Sequence, residues 1–281
     1  MKFLLLLLIL ALGAAPALRA AESESMADRT LRQLVERQKD LLADAAKKGP
    51  QFDEDNFQLQ MQQVCQGYEL LLRDNPNYAA GYAAYGYLLG KIGQAKAAVA
   101  MLLRANQLDP DLPLVKNQLG NFLAEEGRPR EALPYFLAAI KLAPKEPLYH
   151  YQLGTLLHEA RDDFLKSGEW TADGLNHAMH EAFRQAAELA PDRIEFTYRY
   201  AESFYDLDPP DWDGALKAWS ALEARAQSEV ERQTMRLHAA NVLAKQGQFD
   251  RARVLLDTVT EPALQAQRQK VVAELPVKPE K

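Results

Sequence analysis

One pattern occurs twice in succession between Ala79 and Pro144, at an offset of 34 residues. Gly86 is matched by Gly120, and Pro110 is matched by Pro144. Apolar residues in each copy recur at helical intervals on both sides of a glycine, so each copy predicts two amphipathic helices. Neither helix can bury its apolar face alone. A fixed period of this length therefore predicts stacked helix pairs that share a continuous core.

Small residues occur at the expected crossing of the two helices, and helix-ending residues occur at the expected ends of the helices. Gly86 and Ala98 are small at the point where the two helices of the first copy must cross closely. Gly93 is placed to end the first helix, and Pro110 prevents the second helix from continuing. The second copy repeats these positions, so both copies predict the same structural unit.

These residues closely resemble the tetratricopeptide repeat family. The motif residues are Tyr82, Tyr85, Gly86, Leu89, Ala98, Leu102, Ala105 and Pro110 in the first copy, and Leu119, Gly120, Leu123, Ala132, Phe136, Ala139 and Pro144 in the second. The resemblance implies an all-α fold, a right-handed α-α superhelix (a TPR-like solenoid) of antiparallel helix pairs. It also implies a concave face that holds an extended or helical segment of another protein, although a fold does not identify that partner.

The same pattern, less strictly kept elsewhere, predicts the organisation of the whole chain. We expect a signal peptide at residues 1–20, a degenerate N-terminal helix pair at 21–78, and repeats at 79–112 and 113–146. We further expect a repeat with a lengthened helical hairpin at 147–193, a degenerate repeat at 194–230, a repeat plus a capping helix at 231–275, and a disordered tail at 276–281.

The third repeat is longer than the period allows. Pro191 follows Pro144 by 47 residues, thirteen more than the 34 of the first two copies. Because Gly154 and Phe183 keep their places in the pattern, the extra residues must lie between the paired helices. We expect both helices to extend past the edge of the array and to be joined by a short loop near residues 167–171.

The N-terminal residues have the composition of an export signal. Lys2 precedes an almost wholly apolar run, and small residues follow at Ala15, Ala17 and Ala20. This order predicts a secretory signal peptide that is cleaved after Ala17 or Ala20, which makes the mature protein periplasmic or secreted. An uncleaved membrane anchor is the alternative, but the run is shorter than the roughly 20 apolar residues that span a bilayer.

Charge and cysteine content narrow the possible partners. The net charge is −6, and loss of Lys2 and Arg19 with the signal peptide would make it −8. An acidic domain argues against binding to nucleic acid, because phosphates are bound by lysine and arginine. Cys65 is the single cysteine, so it forms no internal disulfide; a buried thiol or an intermolecular disulfide is expected. The oligomeric state is not predicted.

The resemblance also implies which side chains line the concave groove. In that family the first helix of each pair faces the groove, and the corresponding positions here are Tyr87, Asn117, Asn121, Tyr151, Thr155, His158, Tyr198, Glu202 and Tyr205. We expect these side chains to face solvent and to bind a protein or peptide. Asn117 and Asn121, four residues apart, could bind a peptide backbone through their amides, and the tyrosines would add apolar area with a polar tip. A solvated helix face that binds nothing is the alternative.

The sequence predicts no catalytic residues, metal or cofactor. The family's clamp for a C-terminal carboxylate is not expected, because Ala83 and Leu148 stand where it has basic residues. We therefore predict a non-catalytic scaffold or adaptor of an exported assembly. One alternative is a structural subunit of an envelope complex that uses its convex face or the hairpin near Trp170. A second is a metal-dependent enzyme with His158, His177 and His180 as ligands, although these match no metalloprotease signature.

Overall fold

The computed structural model describes residues 25–47 and 52–276, which fold into helices joined by turns and contain no strand. The predicted signal peptide at 1–20 and residues 277–281 of the predicted tail lie outside the described residues. The all-α fold class predicted from the sequence is confirmed, because the helices of the described part pack in adjacent pairs.

The bounds of the helices follow the repeat pattern closely. In the described part of the chain, the α-helices are α1 Met26–Ala46, α2 Glu54–Asp74, α3 Ala79–Lys91, α4 Ala95–Leu108, α5 Pro113–Glu125, α6 Pro129–Leu142, α7 Pro147–Glu159, α8 Arg161–Lys166, α9 Ala172–Leu189, α10 Ile194–Ser203, α11 Trp212–Glu223, α12 Glu229–Lys245, α13 Phe249–Asp257 and α14 Gln265–Ala273. Two short 3₁₀-helices, Phe204–Asp206 and Pro262–Leu264, precede α11 and α14. The chain divides into two compact units, the first ending at Phe122 and the second beginning at Leu123.

A buried tyrosine joins three helices of the first unit. The ring of Tyr68 on α2 stacks on that of Tyr85 on α3, with 5.2 Å between the ring centroids. Its hydroxyl donates a hydrogen bond to Oε1 of Gln38 on α1 at 2.7 Å. Both Tyr68 and Gln38 are buried, so this bond removes the cost of burying their polar groups. The N-terminal helix pair is thereby attached to the first repeat.

The predicted close crossing of α3 and α4 is present in the first unit. A Cβ atom added to Gly86 would lie 2.8 Å from Cγ of Leu102 and 3.1 Å from the carbonyl oxygen of Ala98. Leu102 and Ala98 are both fully buried, and the backbone of α4 cannot move away without opening the core. The small residues at these positions are therefore required by packing.

Glycine ends the first helix of a pair in both units. Gly93 follows α3 with φ of +80°, a left-handed conformation that other residues rarely adopt. The N–H of Gln94 then donates to the carbonyl oxygen of Leu89 at 2.8 Å, which satisfies a carbonyl group at the helix end. Gly127 and Gly247 adopt the same conformation after α5 and α12.

The structure corrects one half of the predicted lengthening in the third repeat. The second helix is longer, since α9 has 18 residues against 14 in α4 and α6, but α7 keeps the 13 residues of α3 and α5. The chain leaves helical geometry at Ala160, and the other extra residues form the short helix α8 and a loop. Phe164 of α8 is buried against Leu157 and Phe183. Burial of this large apolar side chain favours the turn over a straight extension.

Asn176 ties the inserted helix to the rest of the second unit. Its Oδ1 accepts a hydrogen bond from Arg161 of α8 at 3.1 Å, and its Nδ2 donates to the carbonyl oxygen of Asp206 at 2.6 Å. Asn176 is buried on α9, so one amide connects α8, α9 and the first 3₁₀-helix. This connection fixes the region from which Tyr205 projects.

Two further expectations concern membranes and Cys65. None of the helices within residues 25–47 and 52–276 combines the length and apolarity that a bilayer span requires. Cys65 is half-buried rather than fully buried, and it lines an apolar cleft of about 560 Å³ together with Phe57 and Met61. Burial raises the pKa of the Cys65 thiol, so the reactive thiolate is scarce at neutral pH.

Candidate functional site

Three tyrosines of the second unit form the candidate site. Tyr151 lies on α7, Tyr198 lies on α10, and Tyr205 lies in the 3₁₀-helix after α10. All three are half-buried, so each ring is supported by packing while part of it stays accessible. Burial raises the pKa of all three hydroxyls, that of Tyr205 to about 12, so they remain protonated at neutral pH. We call these three residues the tyrosine face.

Tyr151 is held by aromatic neighbours on two other helices. Its ring centroid lies 4.6 Å from that of Phe196 on α10 and 5.8 Å from that of Phe183 on α9. Phe196 and Phe183 are fully buried, so the inner side of the Tyr151 ring rests on the core. A ring fixed in this way loses little side-chain entropy when a partner covers it.

His238 on α12 links the other two tyrosines. The hydroxyl of Tyr198 lies 3.1 Å from Nε2 of His238, and the hydroxyl of Tyr205 lies 3.4 Å from its Nδ1. The imidazole stacks on the indole of the buried Trp219, with 4.0 Å between centroids and 7° between planes. These contacts bring α10, α11 and α12 together and fix the orientation of both tyrosines.

Burial keeps His238 uncharged. Its pKa falls from 6.5 to about 4, because the half-buried imidazole loses solvation when it is charged. A neutral imidazole has one N–H donor and one acceptor nitrogen, so one tyrosine hydroxyl donates to the ring and the other accepts from it. The tyrosine face is therefore built on a neutral polar network.

The charged side chains beside the tyrosine face are paired with one another. Arg199 donates to Glu202 at 2.9 Å on α10, and Arg193 pairs with Glu195 at the start of the same helix. The guanidinium carbon of Arg193 also lies 4.1 Å from the ring centroid of Phe196. Glu202, predicted to line the groove, is thus engaged within its own helix.

Two other predicted groove residues lie on α7. Thr155 is half-buried, and its hydroxyl donates to the carbonyl oxygen of Tyr151 at 3.0 Å, one turn earlier in the helix. His158 is exposed near the end of α7. The Thr155 hydroxyl is therefore engaged within its own helix, and the His158 side chain is exposed to solvent.

The first unit carries the remaining predicted residues, and one of them differs from expectation. Tyr87 is half-buried on α3, with the Lys91 ammonium 5.3 Å from its ring centroid, and Asn121 is half-buried on α5. Asn117, predicted to face solvent, is instead 0% exposed. Within the described residues, neither its Oδ1 nor its Nδ2 has a hydrogen-bond partner. Neighbouring side chains cover this position, so helix-face counting alone misplaced it.

Two of the three histidines considered as metal ligands, His177 and His180, are engaged in separate local contacts. His177 bonds to Asp173 one turn earlier in α9, at 2.9 Å to its carboxylate. His180 lies 2.8 Å from the Ser203 hydroxyl, which itself donates to the carbonyl oxygen of Tyr200, so the imidazole is the donor. In the part of the chain that the structure describes, no three histidine, cysteine, aspartate or glutamate residues group closely enough to hold a metal ion.

The loop after α8 forms one wall of a polar cleft. Trp170 is half-buried and packs edge-on against Phe164, with 6.0 Å between centroids. Arg130 on α6 pairs with Glu169 at 2.9 Å and holds the loop in place. The cleft has a volume of about 610 Å³ and is lined by Gly127, Arg128, Pro129, Arg130, Glu131, Asp163, Lys166, Ser167 and Glu169.

Comparison with known families identifies the repeated pattern. The tetratricopeptide repeat family matches residues 79–112 and 115–146. The chain contains tetratricopeptide repeats. The family predicted from the glycine, alanine and proline spacing is thereby confirmed for these two segments. No protein among the curated sequences matches the chain.

Several solved structures, a TPR protein among them, are similar to the chain in fold. YrrB, a TPR protein reported to have an unusual peptide-binding site, is 16% identical, with a TM-score of 0.62 over 74% of this chain and 99% of YrrB. PilF from Pseudomonas aeruginosa is 16% identical, with a TM-score of 0.59 over 89% of this chain and 100% of PilF. Naa15/Naa10 bound to HypK-THB is 14% identical, with a TM-score of 0.56 over 89% of this chain and 34% of that chain. These likenesses show a shared fold.

The tetratricopeptide pattern did not reveal two residues that shape the site. His238 precedes the small core residues Ala239 and Ala240 and carries no sequence signal of its contacts with the tyrosines. Phe196 also carries no sequence signal of its role, because its contact with Tyr151 depends on packing between α7 and α10. The aromatic content of residues 196–205 was the one available signal.

Proposed function

We propose that the chain is a non-catalytic scaffold or adaptor that binds a peptide or a helix of a partner protein. The observation that carries this proposal is the tyrosine face. Its rings are held by packing and hydrogen bonds, and each ring stays partly accessible to solvent. Tyrosine is enriched at protein interfaces because it offers apolar area and a hydrogen-bonding tip at a low entropic cost.

The fold supports a scaffold function. Residues 79–112 and 115–146 belong to a repeat family that generally serves in protein binding, and YrrB is reported to have a peptide-binding site. The residues described contain no assembled metal-ligand group, so nothing in the geometry favours the alternative of a metal-dependent enzyme.

We also propose that the protein acts in an exported assembly. The support is the sequence of residues 1–20, in which Lys2, an apolar run and small residues follow in the order of a signal peptide. Sequencing the N-terminus of the mature protein tests this part. A first residue of Leu18 or Ala21 is expected, and an intact Met1 would contradict it.

A pull-down from the exported fraction tests the binding function. The test variant carries Tyr151→Ala and Thr155→Ala, and the matched control carries Leu137→Ala at an exposed position of α6. We expect partner recovery to fall at least about tenfold for the test variant, since buried aromatic anchors contribute roughly 1–3 kcal/mol or more. Recovery with the control should equal that of the unaltered protein. Circular dichroism melting checks that both variants remain folded.

The same experiment separates the structural alternative. If the tyrosine-face variant recovers the same partners as the unaltered protein, the proposed binding surface is wrong. Loss of those partners from a Trp170→Ala variant would then support a structural subunit that uses the loop after α8.

A further inference from the structure

We propose that the tyrosine face takes an uncharged, apolar or aromatic segment of its partner, and that binding is nearly independent of salt concentration. This inference rests on the proposed function and specifies the chemistry of the partner. It is based on the ion pairs that the charged side chains around the three tyrosines form with one another.

The Arg199–Glu202 pair lies closest to Tyr198. The two side chains are 25% and 34% exposed and are joined at 2.9 Å. The guanidinium carbon of Arg199 also lies 5.3 Å from the ring centroid of Phe183. Glu202 raises the pKa of the Tyr198 hydroxyl and Arg199 lowers it, so both charges lie near this tyrosine. Each charge therefore already has an opposite charge within its own helix.

The Arg193–Glu195 pair repeats this arrangement next to Tyr151. The side chains are 31% and 29% exposed, and the guanidinium of Arg193 lies over the ring of Phe196, on which Tyr151 also packs. A partner carboxylate that took the place of Glu195 would break this pair. Breaking a partly buried ion pair leaves one charge uncompensated, so such displacement is unfavourable.

The remaining titratable groups do not supply a charge for recognition. His238, which contacts Tyr198 and Tyr205, is neutral. His158 and Glu159 are exposed at the end of α7, where water and salt screen them. A charged partner side chain placed on the tyrosines would lose hydration without gaining an opposite charge.

An apolar or aromatic side chain gains from the same surface. It would cover the accessible sides of the tyrosine rings, and aromatic pairs are attracted to one another beyond the effect of the area that they bury. Tyrosine hydroxyls can bind main-chain groups of the partner without any formal charge. The partner segment is therefore selected by its shape and apolar content, and charge complementarity contributes little.

Selection from a random peptide library displayed on phage tests this inference. Peptides are selected on the unaltered chain and depleted on the Tyr151→Ala variant, so that those retained depend on the tyrosine face. We expect them to be rich in aromatic, leucine and proline residues with no common charge. Their affinities should change less than about twofold between roughly 50 and 500 mM NaCl, because screening acts on charges.

A Glu202→Gln variant provides the matched comparison. It leaves Arg199 without its carboxylate, so peptides selected on it should gain aspartate or glutamate, and their affinities should fall at least about fivefold over the same salt range. The inference is overturned if the unaltered chain selects peptides rich in one sign of charge whose affinities fall with salt. If no peptide depends on Tyr151, the proposed binding function itself fails, and the inference fails with it.

Discussion

At the scale of single residues, two buried side-chain amides differ in whether they are hydrogen-bonded. Gln233 on α12 is 4% exposed; its Oε1 accepts hydrogen bonds from the backbone N–H groups of Thr260 and Glu261 at 2.7 and 2.8 Å. Its Nε2 donates to Glu229 at 3.0 Å. Asn117 is equally buried and, among the described residues, has no partner. A buried amide stabilises a fold when it is bonded and costs free energy when it is not.

We predict that Gln233→Leu destabilises the protein by about 1–3 kcal/mol, because two backbone N–H groups lose their buried acceptor. Urea denaturation followed by circular dichroism measures the change. Gln267→Leu, at an exposed position of α14, is the control and should stay within roughly 0.5 kcal/mol of the unaltered protein. Equal stability of the two variants would show that the Gln233 bonds contribute nothing.

We predict the opposite for Asn117→Leu, a substitution of similar size. Removing an unpaired buried amide should leave the free energy of unfolding unchanged or raise it by about 1 kcal/mol. The same denaturation experiment measures it. A loss of more than about 1 kcal/mol would mean that Asn117 is hydrogen-bonded in solution, contrary to the structure.

At the scale of helices, the neutral His238 links α10 to α12 through Tyr198. Because its folded pKa is depressed to about 4, the unfolded chain takes up a proton near pH 6.5 that the folded chain does not. Stability from this link is therefore fully present above about pH 6.5 and is lost as the pH falls towards 4.

We predict that the free energy of unfolding falls by on the order of 2 kcal/mol between pH 7 and pH 4 through His238 alone. His238→Gln should show less of this fall, and the difference between the two proteins isolates His238 from other groups. Those others include His180, whose pKa is also lowered by burial. Parallel pH profiles for the two proteins would contradict the prediction.

The inserted helix shows which parts of an element the sequence can predict. The 47-residue spacing correctly located the extra residues between α7 and α9. The direction predicted for the residues after α7 was wrong, because Ala160 and Phe164 have helical spacing whether the helix continues or turns. Only the core that receives Phe164 decides between the two arrangements.

At the scale of the whole molecule, the period alone was enough to predict the fold class. Helices α3, α5, α7 and α10 begin at Ala79, Pro113, Pro147 and Ile194, the residues from which the groove positions were counted. Counting from these starts located Tyr151 and Tyr198 on helices, and both side chains are half-buried there. It could not show that Asn117 is covered, since burial depends on neighbours that one helix does not encode.

The stacking of His238 on Trp219 also gives the protein a spectroscopic property. The indole is shielded from water, and a coplanar imidazole at 4.0 Å is close enough to influence its excited state. A protonated imidazole quenches indole fluorescence more strongly than a neutral one. Emission from Trp219, isolated by replacing Trp170 and Trp212 with phenylalanine, thus reports the protonation of one histidine and the integrity of its surroundings without any added label.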